Sequence, residues 1–128
     1  MTPKETTSAP RFTRPGVLLR IEGAVLLALS VLLYWLNGGS WVLFGLLFLA
    51  PDVSMLGYVV GTRVGAVVYN VFHTYALPAA LAGYGLVGGS TVAVSAALIW
   101  FAHIGMDRML GYGLKYPSGF KDTHLGRL

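Results

Sequence analysis

Five ionisable residues lie within or at the ends of long apolar segments, and their chemistry is that of metal ligands and proton carriers. They are Glu22, Asp52, His73, His103 and Asp107. A charge at mid-bilayer costs roughly 2.5–3.5 kcal/mol on insertion scales, so such residues usually face a bundle interior and serve a function. His103 and Asp107 are four residues apart and share one helical face. Imidazole and carboxylate groups suit zinc, manganese or iron.

The elements that must position these residues are apolar helices. Residues 23–51 and 64–106 contain no Asp, Glu, Lys or Arg. A membrane-spanning helix needs about 20 apolar residues, so each segment with its flanks can cross twice. Glycine-rich turn signals before Ser40 and Ser90 divide the segments, and both serines can cap the helices that follow. The sequence therefore predicts four helices, at about 17–36, 40–60, 63–87 and 90–110.

The composition supports this assignment. The chain has 128 residues, of which 55% are hydrophobic and 11% are charged, and its mean hydropathy is +0.69. Soluble domains carry about 25% charged residues. A soluble enzyme, a nucleic-acid-binding module and a disordered chain are therefore excluded, and the absence of cysteine excludes disulfides and thiolate metal sites. The predicted fold class is an all-α polytopic membrane protein, a bundle of four transmembrane helices.

The basic residues predict the orientation. All nine lysines and arginines fall on one side of the predicted topology: Lys4, Arg11, Arg14, Arg20, Arg63, Arg108, Lys115, Lys121 and Arg127. By the positive-inside rule, both termini are cytoplasmic. Residues 1–16 are predicted to be a cytoplasmic lead-in, residues 17–110 the transmembrane domain, and residues 111–128 an ordered cytoplasmic cap over the polar residues.

The five ionisable residues are predicted to lie at similar depth. With a rise of about 1.5 Å per residue, they fall within roughly 10 Å of one another along the membrane normal, in the cytoplasmic half. Helix bundles build metal sites from inward-facing residues of several helices. A structural interpretation is also open for each residue. Glu22 can pair with Arg20 or Arg63, Asp52 can cap amides freed by Pro51, and His73 can hydrogen-bond to a neighbouring carbonyl. Asp107 can pair with Arg108 or a loop residue, or form a structural hydrogen-bonded pair with His103.

Three segments resemble the bacterial family known as domain of unknown function 4260. They are Ala-Pro-Asp-Val-Ser-Met-Leu-Gly-Tyr at 50–58, Tyr-Asn-Val-Phe-His-Thr-Tyr at 69–75, and His-Ile-Gly-Met-Asp-Arg at 103–108, with the tail through residue 126. The resemblance covers the chain from the first helix to the C-terminus. It implies a small four-span protein of the bacterial inner membrane and implies no activity.

A second, shorter resemblance is to membrane-bound metal-dependent hydrolases. That family has a Pro-Asp-x-Asp motif, then Thr-His-Ser, then His-x-x-x-Asp. Here Pro-Asp-Val-Ser at 51–54, His-Thr-Tyr at 73–75 and His103 with Asp107 follow in the same order. Ser54 replaces the second aspartate, and the histidine precedes the threonine. The resemblance implies metal-dependent hydrolysis.

The first functional hypothesis is an intramembrane metallohydrolase acting on a lipid-like or phosphorylated amphiphile. The predicted ligands of a zinc, manganese or iron ion are Asp52, His73, His103 and Asp107. The predicted catalytic groups are Glu22, as general base, and Asp107. The residues predicted to bind substrate are Asn70, Arg108, Lys115, Lys121 and His124.

Three other hypotheses remain open at this point. Intramembrane carboxylates and histidines can form a proton or ion pathway. His73 and His103 could ligate a haem iron axially. The polar cluster could instead hold together a structural or partner-binding membrane subunit. The expected surroundings are the lipid bilayer, with a homodimer plausible for so small a bundle and no nucleic acid.

Overall fold

The computed structural model describes residues 14–115 together with Thr123 and Leu125. Its elements are α1 (Pro15–Leu36), α2 (Trp41–Phe48), a 3₁₀ segment (Ala50–Val59), α3 (Thr62–Phe72), α4 (Ala76–Gly88) and α5 (Thr91–Leu110). Most of the predicted N-terminal lead-in and much of the predicted cap lie outside the described residues. Within the described part, no strand forms, and Lys115 and Thr123 make one isolated antiparallel bridge.

Four helical stretches are long and apolar enough to cross a membrane. They are Pro15–Leu36, Trp41–Val59, Thr62–Gly88 and Thr91–Leu110, so the second span joins α2 to the 3₁₀ segment and the third joins α3 to α4. The all-helical, four-span prediction is confirmed. The predicted caps are also present, since Ser40 Oγ accepts from the amide of Leu43 at 3.4 Å and Ser90 Oγ accepts from that of Ala93 at 3.2 Å.

The second and third spans are broken, whereas the sequence predicted one helix for each, with an interruption expected only at Pro51. The second changes from α to 3₁₀ geometry between Phe48 and Ala50, just before Pro51, and the third unwinds over residues 73–75 before α4 begins. A proline has no amide hydrogen to donate, and its ring clashes with the carbonyl four residues earlier. Pro78 stands four residues after Thr74 and so accounts for the second break as Pro51 accounts for the first.

Helix α5 is the most buried span and organises the bundle. It packs along α1 and also contacts α4 and α2, while α3 packs against the 3₁₀ segment. Two glycines bring α1 and α5 into backbone contact. A Cβ atom on Gly105 would lie 2.8 Å from the carbonyl oxygen of Gly23 and 2.9 Å from the amide nitrogen of Leu27. Small residues at such crossings permit close helix packing in membranes.

Candidate metal centre

Three elements each bring ligand-type side chains to one point in the bundle. His103 and Asp107 project from successive turns of α5, and both are buried. His73 is the residue at which α3 ends. Asp52 lies in the first turn of the 3₁₀ segment, directly after Pro51. Both helix breaks therefore occur where a ligand-type residue must reach α5.

The four side chains converge closely. Nε2 of His73 is 3.3 Å from Oδ1 of Asp52 and 3.6 Å from Oδ2 of Asp107. Nε2 of His103 is 3.2 Å from Oδ1 of Asp52 and 3.3 Å from Oδ2 of Asp107. One ligand atom from each of the four residues lies within 4.8 Å of those of the other three. We call these four residues the His/Asp cluster.

The second nitrogen of each imidazole faces a backbone carbonyl. Nδ1 of His73 is 2.8 Å from the carbonyl oxygen of Tyr69, and Nδ1 of His103 is 2.5 Å from that of Phe48. A carbonyl oxygen can only accept, so Nδ1 carries the hydrogen in both rings. In the neutral imidazole, each Nε2 then presents a lone pair toward the two carboxylates.

This arrangement fits a divalent cation. Four lone-pair atoms face one another, and lone pairs converge favourably only around a positive charge. Ligand atoms at about 2.0–2.2 Å from a tetrahedrally coordinated zinc are roughly 3.3 Å apart. The four His–Asp separations of 3.2–3.6 Å are of that size, and all four ligand atoms lie within 4.8 Å of one another. Metal-binding histidines usually donate their other N–H to a carbonyl or carboxylate, as both histidines do here.

The cluster is closed on most sides but open at one residue. The side chains of His73 and His103 are 3% and 1% exposed and that of Asp107 is 11% exposed, whereas that of Asp52 is 38% exposed. A molecule from outside the bundle therefore meets the cluster first at the Asp52 carboxylate.

The start of the C-terminal tail is held next to residues that neighbour the cluster. The side chain of Asn70 holds the main chain of Lys115 twice, donating from Nδ2 to its carbonyl at 2.7 Å and accepting its amide at Oδ1 at 2.6 Å. The Lys115 ammonium lies 4.5 Å from the centre of the Tyr69 ring. That ring stacks on His73 with centroids 3.7 Å apart and planes within 7°.

The Lys115 ammonium lies within electrostatic reach of the cluster. Burial lowers the pKa of Lys115 from its ordinary value, while the carboxylates of Asp107 and Asp52 act in the opposite direction. Thr123 and Leu125 are also buried. The described tail residues Lys115, Thr123 and Leu125 are thus all buried, whereas the cap over the polar residues stays a prediction.

Two carbonyls beside the helix breaks receive side-chain hydrogen bonds from α5. Nε1 of Trp100 donates to the carbonyl of Phe72 at 2.8 Å, and His103 donates to that of Phe48. Non-helical backbone at membrane depth is tolerated where such groups are satisfied inside the protein. The sequence alone offered no role for Trp100.

The remaining predicted site residues are placed as follows. Glu22 is exposed on α1 and is not part of the His/Asp cluster, so its role as a base stays a prediction. Arg108 is buried on α5, and its Nη2 donates a hydrogen bond to the carbonyl of His73 at 3.4 Å. The guanidinium carbon of Arg108 lies 5.1 Å from the centre of the Tyr75 ring. Lys121 and His124 lie outside the described residues.

Sequence reasoning missed Tyr69, which contacts both His73 and Lys115. The signal was available, because Tyr69 precedes His73 by four residues and shares its helical face.

Comparison with known proteins gives one match. The sequence model of a family described as "Domain of unknown function (DUF4260)" matches residues 16–128. Neither curated proteins nor solved structures gave a match.

Proposed function

The chain belongs to the DUF4260 family, and for this member we propose an intramembrane divalent-metal centre formed by Asp52, His73, His103 and Asp107. The observation that carries the proposal is the direction of the two imidazoles. Each gives its N–H to a backbone carbonyl and turns its other nitrogen toward the same two carboxylates. A cation of charge +2 would balance the two carboxylates and satisfy all four lone pairs.

The chemistry of the donor set favours zinc, with manganese and iron as alternatives. Two imidazoles and two carboxylates combine ligands that suit all three metals. A divalent ion in this position lowers the pKa of a bound water toward neutrality and polarises a phosphoryl or acyl oxygen. Because Asp52 is the exposed ligand, its carboxylate would be the one displaced from the metal when another oxygen ligand binds.

We further propose that the centre serves hydrolysis of a lipid-like or phosphorylated amphiphile, in a bacterial inner membrane with both termini cytoplasmic. The support for hydrolysis is the metal-ligand chemistry together with the short motif resemblance. Glu22 and Asp107 remain the proposed catalytic groups. Asn70, Arg108 and Lys115 lie around the cluster, and Lys121 and His124 complete the proposed substrate-binding set.

A structural role for the cluster is the second candidate. If both histidines were protonated, each imidazolium would form ion pairs with both carboxylates. The cluster would then hold three elements together without a metal. The same distances support this candidate, so metal content decides between the two.

The test is elemental analysis of the purified protein after loading with zinc and removal of free metal. We expect about one zinc ion per chain in wild type and less than a tenth of that in His73→Ala and His103→Ala. Asn37→Ala is the matched control, because Nδ2 of Asn37 donates to Ser95 Oγ at 2.9 Å in another part of the bundle. Zinc in all four proteins, or in none, would contradict the proposal.

A further inference from the structure

The exposed member of the His/Asp cluster lies at a wide, shallow depression on the outside of the bundle. The depression has a volume of about 640 Å³ and is lined by Asp52 together with apolar side chains that include Leu49, Val53, Leu56 and Val59. We call it the lateral groove. Its lining residues all belong to the second span or its helix junction, and the apolar ones named are largely exposed.

The position of the groove on a membrane-spanning stretch indicates that lipid surrounds it. The span Trp41–Val59 has the length and hydropathy of a transmembrane helix, so its exposed side chains face acyl chains. The lining of the groove thus contains one carboxylate, that of the cluster member Asp52, and is otherwise largely apolar. That combination is unlike an aqueous entrance, which would be lined by polar groups.

The other approaches to the cluster are covered. The two histidines and Asp107 are largely enclosed. The main chain of Lys115 is fixed by its two hydrogen bonds with Asn70, and the Lys115 ammonium lies over the ring of Tyr69, which stacks on His73. Of the described residues that form the cluster, Asp52 is the one that offers a way in.

From this geometry, and resting on the proposed metal centre, we propose that the lateral groove is the binding site for the alkyl chain of an amphiphile with an oxyanion headgroup. The molecule enters sideways from the bilayer, and its headgroup reaches the metal beside Asp52. The charge arrangement fits such a headgroup. A divalent ion neutralises the two carboxylates, and the buried Lys115 ammonium adds positive charge near the cluster.

The test uses two phosphonates that share a headgroup and differ in their chain. Protein in phosphatidylcholine nanodiscs is loaded with Co²⁺, whose visible absorption changes when a new ligand enters its coordination sphere, and is titrated with dodecylphosphonate and with methylphosphonate. Leu56→Trp and Val53→Trp place a bulky ring in the groove at two exposed positions, so at least one variant is expected to fold. Leu46→Trp, on the exposed surface of α2 outside the groove, is the control.

We expect both groove variants to keep their cobalt and to bind methylphosphonate like wild type, but to bind dodecylphosphonate at least tenfold more weakly. Dodecylphosphonate partitions into the nanodisc lipid to the same extent for every variant, so this contribution to the apparent affinity cancels when the variants are compared. Leu46→Trp should match wild type with both ligands.

Two results would overturn the inference while leaving the metal centre intact. One is an unchanged dodecylphosphonate affinity in both groove variants. The other is a cobalt spectrum that responds to neither phosphonate. Loss of cobalt from wild type would instead overturn the metal centre itself.

Discussion

At the scale of single residues, the backbone fixes the orientation of both histidines before any cation arrives. Tyr69 and Phe48 provide the carbonyls that hold Nδ1 of His73 and His103. Stacking of Tyr69 on His73 removes a further degree of freedom from that ring. Outer contacts of this kind determine the tautomer of metal-binding histidines and contribute substantially to metal affinity.

Asn70 fixes the start of the C-terminal tail through its two hydrogen bonds with the main chain of Lys115. Replacing Asn70 tests whether these bonds hold the tail in place. Asn70→Ala removes both hydrogen bonds to the main chain of Lys115. At about 1 kcal/mol for each bond, local opening should become roughly tenfold more frequent or greater. We expect trypsin cleavage after Lys115 to accelerate by that factor, as measured by mass spectrometry of timed digests.

The control for this experiment is Asn37→Ala, which breaks a hydrogen bond to Ser95 far along the chain from the tail. Equal cleavage rates in Asn70→Ala and wild type would show that the tail is held by other contacts.

At the scale of elements, two helix breaks and one glycine crossing bring the cluster together. The charge-free segments and the serine caps made the four spans predictable from sequence. The types and depths of Asp52, His73, His103 and Asp107 also made their convergence predictable. An interruption at Pro51 was expected from its ring, although the change to 3₁₀ geometry was not. The break before α4 was not predicted, because the effect of Pro78 on the third span was overlooked. The roles of the Phe48 and Phe72 carbonyls have no sequence signature, since every residue carries a carbonyl.

The crossing of α1 and α5 can be tested with a single methyl group. In Gly105→Ala, the new Cβ would meet backbone atoms of Gly23 and Leu27 at under 3.0 Å, so the helices must separate. We expect a loss of about 1–3 kcal/mol in the free energy of unfolding, measured by denaturation in mixed detergent micelles. Zinc affinity should fall too, because His103 and Asp107 flank this position.

Gly45→Ala is the matched control, because a Cβ atom at Gly45 of α2 meets nothing within 4 Å and alanine favours helices over glycine. This variant should be as stable as wild type or slightly more stable. If Gly105→Ala behaved the same way, the close crossing of α1 and α5 would be wrong.

At the scale of the whole molecule, four spans put both ends of the transmembrane domain on one side of the membrane. The basic residues predict that this side is cytoplasmic. Because the chain has no cysteine, single cysteines can report sidedness without background. Gly88→Cys lies at the end of α4 with open space around its Cβ, and Thr62→Cys lies exposed at the start of α3.

A membrane-impermeant maleimide added to intact spheroplasts should label Gly88→Cys and leave Thr62→Cys unlabelled until the membrane is opened. The reverse pattern would invert the topology and place the cluster toward the other face. Labelling of both positions in intact spheroplasts would contradict the four-span arrangement.

X-ray absorption spectroscopy of the zinc-loaded protein tests the metal centre most directly, because it reports the ligands of the ion themselves. For the wild-type protein we expect a first shell of nitrogen and oxygen atoms at roughly 2.0–2.2 Å from the zinc, together with outer-shell scattering from two imidazole rings. In the double variant His73→Ala, His103→Ala, the imidazole scattering should be lost. An oxygen-only shell without imidazole scattering, or a spectrum unchanged in the double variant, would contradict the proposed metal centre.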